Sequence, residues 1–165
     1  MVICHQTVNF QQDLLKSLKI GLHKERKTIN INSSLNEKNN LSSNSFDIVH
    51  SNATIEHVGS YKNQLSFVKE CVRISKKYVF IQTPNRFFPI DFHTFLPFIH
   101  WLPKSIHRKI LKGVGLSFYS YEKNLNLLSK KDLINFCKNL DLKNFEIINY
   151  KLFLMTSNLI LIIKK

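Results

Sequence analysis

The chain has 165 residues, of which 44% are hydrophobic, and this is enough to build one globular domain with a real core. Its 24 Lys and Arg residues exceed its 11 Asp and Glu residues, so the formal charge of +13 would favour polyanionic partners or an anionic membrane surface. The basic residues are spread along the chain without a long basic block, and no recognised nucleic-acid-binding module is present, so a nucleic-acid partner is not expected.

The cysteines and the N-terminal residues indicate where the protein resides. The chain has three cysteines, which are Cys4, Cys71 and Cys137. An odd number without C-x-x-C spacing favours buried, reduced thiols over a disulfide framework or a structural zinc site. The sequence does not open with a basic segment and a long apolar run, and its apolar stretches at 87–102 and 152–163 are interrupted by polar residues. The sequence therefore predicts a cytoplasmic protein without a membrane span.

The N-terminal part of the chain predicts one helix and one strand. Apolar residues recur at every fourth position from 10 to 22, which predicts an amphipathic helix. Residues 28–31 alternate between polar and apolar types and predict a short strand, and residues 33–45 are rich in Asn and Ser and predict a loop.

The middle of the chain predicts a strand, a helix and a second strand. Residues 46–51 form a compact apolar run, and residues 64–75 carry one apolar helical face. Residues 78–81 read as a buried strand that is closed by Pro84. This order is typical of a right-handed crossover unit with parallel strands.

Residues 86–128 differ in composition from the segments before them. Proline and aromatic residues dominate residues 86–103, which we call the aromatic segment. A short basic helix is predicted at 105–112, and the glycines at 113 and 115 end it. We interpret 86–128 as an insertion or lid rather than as part of the core.

The C-terminal part of the chain predicts a helix and a hairpin. Ser129 and Asp132 have the spacing of a capping box, so the last helix is expected to begin near Ser129. Residues 145–153 and 158–163 are β-rich runs joined by 155–157, which predicts a closing antiparallel hairpin.

Three ordered motifs carry a family resemblance. Residues 46–58 read FDIVHSNATIEHV, residues 67–74 read FVKECVRI, and residues 81–85 read IQTPN. In this order they resemble the fourth strand and its loop, the following helix and the end of the fifth strand of class I S-adenosylmethionine-dependent methyltransferases, of the type 11 kind. The resemblance implies an α/β fold: one partial Rossmann-like methyltransferase domain over 1–165, N-terminally incomplete, with an insertion at about 86–128 and a C-terminal antiparallel hairpin.

The resemblance also implies S-adenosylmethionine as the cofactor. In open α/β sheets, ligands bind outside the carboxyl ends of the parallel strands. The residues that the resemblance assigns to the cofactor are Ser51, Asn52, Ala53 and Glu56 on the methionine side, and Ser33 and Ser34 on the adenine side. The alternative for Glu56, and for the adjacent His57, is that they only cap and orient the next helix.

Methyl transfer is a displacement for which a protein supplies alignment and, where the nucleophile is protonated, a general base. The candidate catalytic residues are His93 and Asp91, in the aromatic segment where the resemblance places the substrate pocket, and His57; His100 is a further candidate base. The implied acceptor is a small molecule or a lipid-linked metabolite. The alternative is that the aromatic residues cover the end of the sheet while the polar residues face water.

The chain departs from the family pattern at its N-terminus. None of its four glycines follows a strand there, so the glycine-rich turn that approaches the cofactor is absent, and residues 2–10 contain no acid to hold the ribose hydroxyls. The resemblance is therefore expected to cover about 29–165. Residues 2–7 are expected to fill the slot of the family's first strand or to stand as the second strand; otherwise a partner chain would have to complete the sheet.

Two other classes of function remain open from the sequence. One is a non-catalytic methyltransferase-like remnant or interaction module. The other is a basic protein that binds a membrane or a nucleic acid, in which cations around the aromatic segment meet an anionic surface. These cations are Arg86, Lys104, Arg108, Lys109 and Lys112. A solvated helix face explains the same cations without a partner.

Overall fold

Five strands form one open, mixed sheet in the order β1-β2-β3-β5-β4. A computed structural model of the protein describes residues 41–165 and the backbone of 2–4. The strands are β1 Val2–Cys4, β2 Phe46–Asn52, β3 Ser75–Pro84, β4 Phe145–Leu152 and β5 Met155–Lys164. Strands β1 to β3 are parallel, whereas β5 is antiparallel to both β3 and β4. The predicted α/β sheet with a C-terminal antiparallel hairpin is confirmed.

Helix α1, Tyr61–Ile74, joins β2 to β3 and completes the predicted strand-helix-strand unit. It begins earlier than residue 64 because the side chain of Ser60 caps it and accepts a hydrogen bond from the backbone of Asn63. It ends at Ile74, and the extended backbone of Ser75 starts β3 directly, three residues before the predicted strand.

Helix α4, Lys130–Asn139, begins at the predicted capping box. Ser129 accepts a hydrogen bond from the backbone of Asp132, and the Asp132 carboxylate accepts one from the backbone of Ser129. The apolar faces of α1 and α4 supply much of the main core, in which Phe67, Leu133 and Phe136 are almost completely buried.

The hairpin turn is shorter than the sequence predicted. Leu152 pairs with Met155, so the turn consists of Phe153 and Leu154 alone, and residues 155–157 belong to β5. The φ angles of Phe153 and Leu154 are 48° and 65°, which is the geometry of a two-residue hairpin turn. Asn and Gly usually occupy such turns, so two large apolar residues gave no turn signal.

The segment 86–128 leaves the sheet and returns to it at one place. Asn85 and Leu128 form a bridge, and the backbone of Arg86 donates to the carbonyl of Leu128 at 2.8 Å. Between them lie a short 3₁₀ helix, Ile99–Trp101, helix α2, Lys104–Gly113, and helix α3, Ser117–Ser120. Helix α2 confirms the basic helix predicted at 105–112.

The N-terminal predictions are tested only at β1. Val2–Cys4 pairs with β2 along its open edge, which is the first of the two placements expected for residues 2–7. The helix at 10–22, the strand at 28–31 and the adenine-side candidates Ser33 and Ser34 lie outside the described residues. None of the helices in the described part of the chain has the length and apolar run that a bilayer crossing requires.

Candidate functional site

The carboxyl ends of β2 and β3 bring two of the three motifs together. These parallel strands pair Ser51 with Ile81 and Asn52 with Gln82. The chain then turns sharply at Ala53, whose φ is 46° and whose backbone donates to the carbonyl of Gln82 at 3.0 Å. This is the edge of an open α/β sheet at which ligands bind.

Glu56 lies on a 3₁₀ turn, Ile55–His57, and its side chain is fully buried against β3. The hydroxyl of Thr83 donates to its Oε2 at 3.0 Å. Its Oε1 has no hydrogen-bond partner among the described residues. Burial raises the pKa of Glu56, and the opposing influence of His57, a backbone hydrogen bond, His93 and Thr83 does not cancel it.

His57 is oriented by a backbone carbonyl. Its Nδ1 lies 2.7 Å from the carbonyl oxygen of Asn124. A carbonyl only accepts, so Nδ1 carries the hydrogen, and Nε2 of the neutral ring therefore carries a lone pair. That Nε2 lies 4.0 Å from Oε1 of Glu56.

His93 is oriented by a carboxylate. Its Nδ1 lies 3.0 Å from Oδ1 of Asp91, and the hydroxyl of Thr94 donates to Oδ2 of Asp91 at 2.8 Å. Burial favours the neutral acid at Asp91, but hydrogen bonds from His93 and Thr94 outweigh it and lower the pKa of Asp91. Burial likewise disfavours the charged ring of His93, but the hydrogen bond and charge of Asp91, with the charge of Glu56, raise the pKa of His93.

The two imidazoles face each other. Nε2 of His57 and Nε2 of His93 are 3.2 Å apart, and the rings meet edge to face with centroids 4.9 Å apart. Both Nδ1 atoms already donate elsewhere, so the contact between the Nε2 atoms is a hydrogen bond when the pair holds one shared proton. A chain of groups thus runs from Asp91 through His93 and His57 to Asn124.

The structure therefore brings the candidates Asp91, His93, His57 and Glu56 into one cluster, which we call the polar cluster. Two observations weigh against alternatives from the sequence. Helix α1 is capped by Ser60 and not by Glu56 or His57. Asp91 is 4% exposed, so it does not face water.

The other cofactor candidates lie at the end of β2. Ser51 and Asn52 are buried, whereas Ala53 is partly exposed at the turn. The hydroxyl of Ser51 has no hydrogen-bond partner among the described residues. His50 precedes them, and burial lowers its pKa to about 4.

A hydrogen-bond network that the sequence reading missed holds the loop of the polar cluster. Gln64 on α1 donates to the carbonyls of Ile55 and Asn126 at 3.1 and 2.8 Å. The backbone of Asn126 donates to the carbonyl of Glu56 at 2.7 Å. The side-chain oxygen of Asn126 accepts a hydrogen bond from Nζ of Lys104 at 2.6 Å. The sequence offered one signal for this network, which was the polar Gln64 among the apolar positions of a helix. Its partners are backbone carbonyls, and these cannot be recognised in a sequence.

His100 lies outside the polar cluster. It is buried, and its Nε2 is 2.6 Å from the carbonyl oxygen of Phe88. It therefore supports the fold of the aromatic segment instead of facing His57 and His93.

Large apolar side chains are exposed at the same edge of the sheet as the polar cluster. Phe95 is 74% and Phe98 54% exposed in the aromatic segment, and Phe153 is 88% and Leu154 93% exposed in the hairpin turn. Pro84 pairs with Asn158, so the turn lies beyond the carboxyl end of β3, where the aromatic segment begins. We call these two groups the apolar rim.

A sequence model of the methyltransferase domain family matches residues 5–81. The match begins well before residue 29, so the resemblance extends further towards the N-terminus than the motifs alone predicted. It ends at residue 81, so the family model does not cover the later part of the predicted range. No curated protein matches the sequence at a significant level.

Two solved structures with TM-scores just above 0.5 share the fold. An S-adenosylmethionine-dependent methyltransferase from Archaeoglobus fulgidus is 14% identical, with a TM-score of 0.51, and the alignment covers 94% of this chain and 80% of that one. A possible exported protein from Bordetella parapertussis is 9% identical, with a TM-score of 0.51 and coverage of 85% and 44%. A methyltransferase from Methanosarcina mazei is 16% identical, with a TM-score of 0.48, and this chain spans 66% of its length.

Proposed function

Because this chain resembles the class I S-adenosylmethionine-dependent methyltransferases in both sequence and fold, we propose that it transfers a methyl group to a small-molecule or lipid-linked acceptor. The observation that carries the proposal is the pair of imidazoles, 3.2 Å apart and backed by Asp91, at the sheet edge where this fold binds ligands. Such a pair suits an acceptor whose nucleophilic atom must lose a proton.

The imidazole pair supplies the base. When the acceptor enters, the facing Nε2 atoms of His57 and His93 offer two lone pairs, and one proton from the acceptor becomes shared between them. Asp91 stabilises that proton because its carboxylate accepts from Nδ1 of His93. When bound, the cofactor would supply a methyl group on its sulfonium. The acceptor's freed lone pair would form the new bond to that methyl carbon, and the electron pair of the broken sulfur–carbon bond would stay on the sulfur of the departing thioether.

The described residues fit the methionine part of the cofactor. The sharp turn at Ala53 carries only a methyl side chain, so no larger group stands between the backbone of this turn and a ligand. The unpartnered hydroxyl of Ser51 offers a hydrogen bond to a ligand at that place. The ribose- and adenine-side candidates lie outside the described residues.

We expect S-adenosylhomocysteine, the demethylated product, to bind the chain in a calorimetric titration. Ser51→Ala is expected to weaken this binding about fivefold to tenfold, because one hydrogen bond is worth about 1 kcal/mol. Ser117→Ala on α3, which removes an exposed hydroxyl, is the control and should leave the affinity unchanged. A folded chain that gives no heat with the product would contradict the cofactor proposal and favour a non-catalytic module.

The apolar rim supports a lipid-linked acceptor presented at an anionic membrane. Proteins that bind a membrane surface often combine exposed aromatic side chains with cations, and the aromatic rings insert among the lipid headgroups. Lys109 and Lys112 are exposed on α2, which follows the aromatic segment directly. A membrane bound here would lie at the same sheet edge as the polar cluster, so an acceptor could reach it from the bilayer.

Vesicle co-sedimentation tests the membrane contact. We expect the chain to bind vesicles that contain an anionic phospholipid more strongly than neutral vesicles, and less strongly as salt is raised. The double variant Phe95→Ser and Phe98→Ser should bind at least tenfold more weakly, because burying each ring contributes about 1.5–3 kcal/mol. Val114→Ser, also at an exposed apolar residue, is the control. Equal binding by the double variant and the control would contradict the membrane contact.

A further inference from the structure

We propose that Glu56, His57 and His93 form a binding site for one divalent transition-metal cation, such as Zn²⁺ or Fe²⁺. One carboxylate oxygen and two imidazole nitrogens lie within 4.8 Å of one another in this cluster. The three ligands come from two separate parts of the chain, so their sequence spacing did not reveal a metal motif.

The distances suit a single cation. Nε2 of His57 lies 3.2 Å from Nε2 of His93 and 4.0 Å from Oε1 of Glu56. Ligand atoms around a tetrahedral zinc ion are about 3.4 Å apart, because each lies about 2.0–2.2 Å from the metal. The distance between the two Nε2 atoms is already close to that spacing, and Oε1 of Glu56 would move closer to both of them when a cation binds.

Both proposed histidine ligands are oriented by a hydrogen bond from their other ring nitrogen, as histidines that bind metals usually are. A ligating His usually donates its other ring N–H to a carboxylate or a backbone carbonyl. Nδ1 of His93 faces the Asp91 carboxylate at 3.0 Å, and Nδ1 of His57 faces the carbonyl of Asn124 at 2.7 Å. Both Nε2 atoms therefore point at the site as lone-pair donors when the rings are neutral.

The carboxylate provides an independent observation. Glu56 is fully buried, its Oε2 is occupied by the hydroxyl of Thr83, and its Oε1 has no hydrogen-bond partner among the residues that the structure describes. A buried carboxylate oxygen without a donor is costly. A cation between Oε1 and the two imidazoles would compensate for it.

The donor set selects the class of cation. Imidazole nitrogens suit Zn²⁺, Fe²⁺ and their first-row neighbours, whereas Mg²⁺ and Ca²⁺ prefer oxygen ligands throughout. Two His and one carboxylate are three protein ligands, which leaves a coordination position open for a small molecule, as in catalytic sites. If the proposed methyl transfer holds, that position would take the acceptor's nucleophilic oxygen, and the cation would replace the shared proton between the imidazoles.

Titration of the untagged, metal-free chain with CoCl₂ and with ZnSO₄ tests the site directly. We expect one cation per chain and visible d–d absorption bands with Co²⁺. His57→Ala and His93→Ala should each weaken binding at least 100-fold. Asp91→Asn, which removes no ligand, should weaken it about 10–100-fold, because it removes the partner that orients His93. His107→Ala, at a buried His outside the cluster, is the matched control and should bind as the wild type does.

Two results would overturn the site: no stoichiometric binding by the folded wild-type chain, or wild-type affinity in both His→Ala variants. Cooperative thermal unfolding checks the fold of each variant, and if His57→Ala does not fold, wild-type affinity in Asp91→Asn and His93→Ala overturns the site. The titration contains neither S-adenosylmethionine nor an acceptor, so its result is separate from that of the methyl-transfer proposal. Tight cation binding without methyl transfer would refute only the latter.

Discussion

His93→Gln is expected to lower the rate of methyl transfer about 100- to 10,000-fold, which is the usual contribution of a positioned general base. Glutamine keeps a similar reach, but it removes the imidazole that shares a proton with His57 and faces Asp91. The chain is incubated with S-adenosylmethionine that carries a labelled methyl group and with one of two acceptor mixtures, a chloroform-soluble lipid extract or a water-soluble metabolite extract. The label transferred to each mixture measures the rate.

The control for this prediction is His107→Gln, which replaces a buried His away from the imidazole pair. Its rate should stay within threefold of the wild-type rate. Binding of S-adenosylhomocysteine should change little in either variant, because neither side chain belongs to the end of β2, where we propose that the cofactor binds. A His93→Gln protein that keeps the wild-type rate would remove the imidazole pair from the chemistry.

Phe136→Ala is expected to lower the free energy of unfolding by about 3–5 kcal/mol, as other Phe to Ala substitutions in packed cores do. Phe136 is fully buried in the main core, and its ring lies 4.8 Å from that of Tyr61 on α1. The substitution leaves a cavity between α4 and α1. Urea unfolding of the wild-type and variant chains measures the difference.

Lys131→Ala, on the exposed face of the same helix, is the control and should change the free energy of unfolding by less than about 0.5 kcal/mol. If Phe136→Ala leaves too little folded protein to measure, Phe136→Leu retains most of the volume and should give a smaller loss of the same sign. A loss below 1 kcal/mol for Phe136→Ala would mean that α4 does not pack on α1 as described.

The fold was predictable where local patterns agreed with the final packing. The apolar run of β2, the capping box of α4 and the basic helix α2 are all formed near their predicted positions, because periodicity and capping act over a few residues. The predicted position of the hairpin turn was wrong because Phe153 and Leu154 form the turn with positive φ angles, and neither residue type is typical of turns.

The candidate site was predictable as a set of residues but not as a geometry. The motif resemblance pointed to Glu56, His57, Asp91 and His93 separately. No pattern could show that His57 and His93 meet, since that contact depends on how the aromatic segment folds back over the sheet. The orienting carbonyl of Asn124 belongs to the backbone, and every residue offers the same group.

The segment 86–128 starts and ends at the same place on the sheet, and the polar cluster is shared between this segment and the loop after β2. The bridge between Asn85 and Leu128 and the hydrogen bond from Arg86 to Leu128 hold both ends of the segment at one place, so a change of length between them need not shift the strand register. Asp91 and His93 lie on this segment, and so do Asn124 and Asn126, whose backbones hydrogen-bond to His57 and Glu56 after β2. A new surface introduced between residues 86 and 128 would therefore have to keep both of these contacts if the polar cluster is to persist.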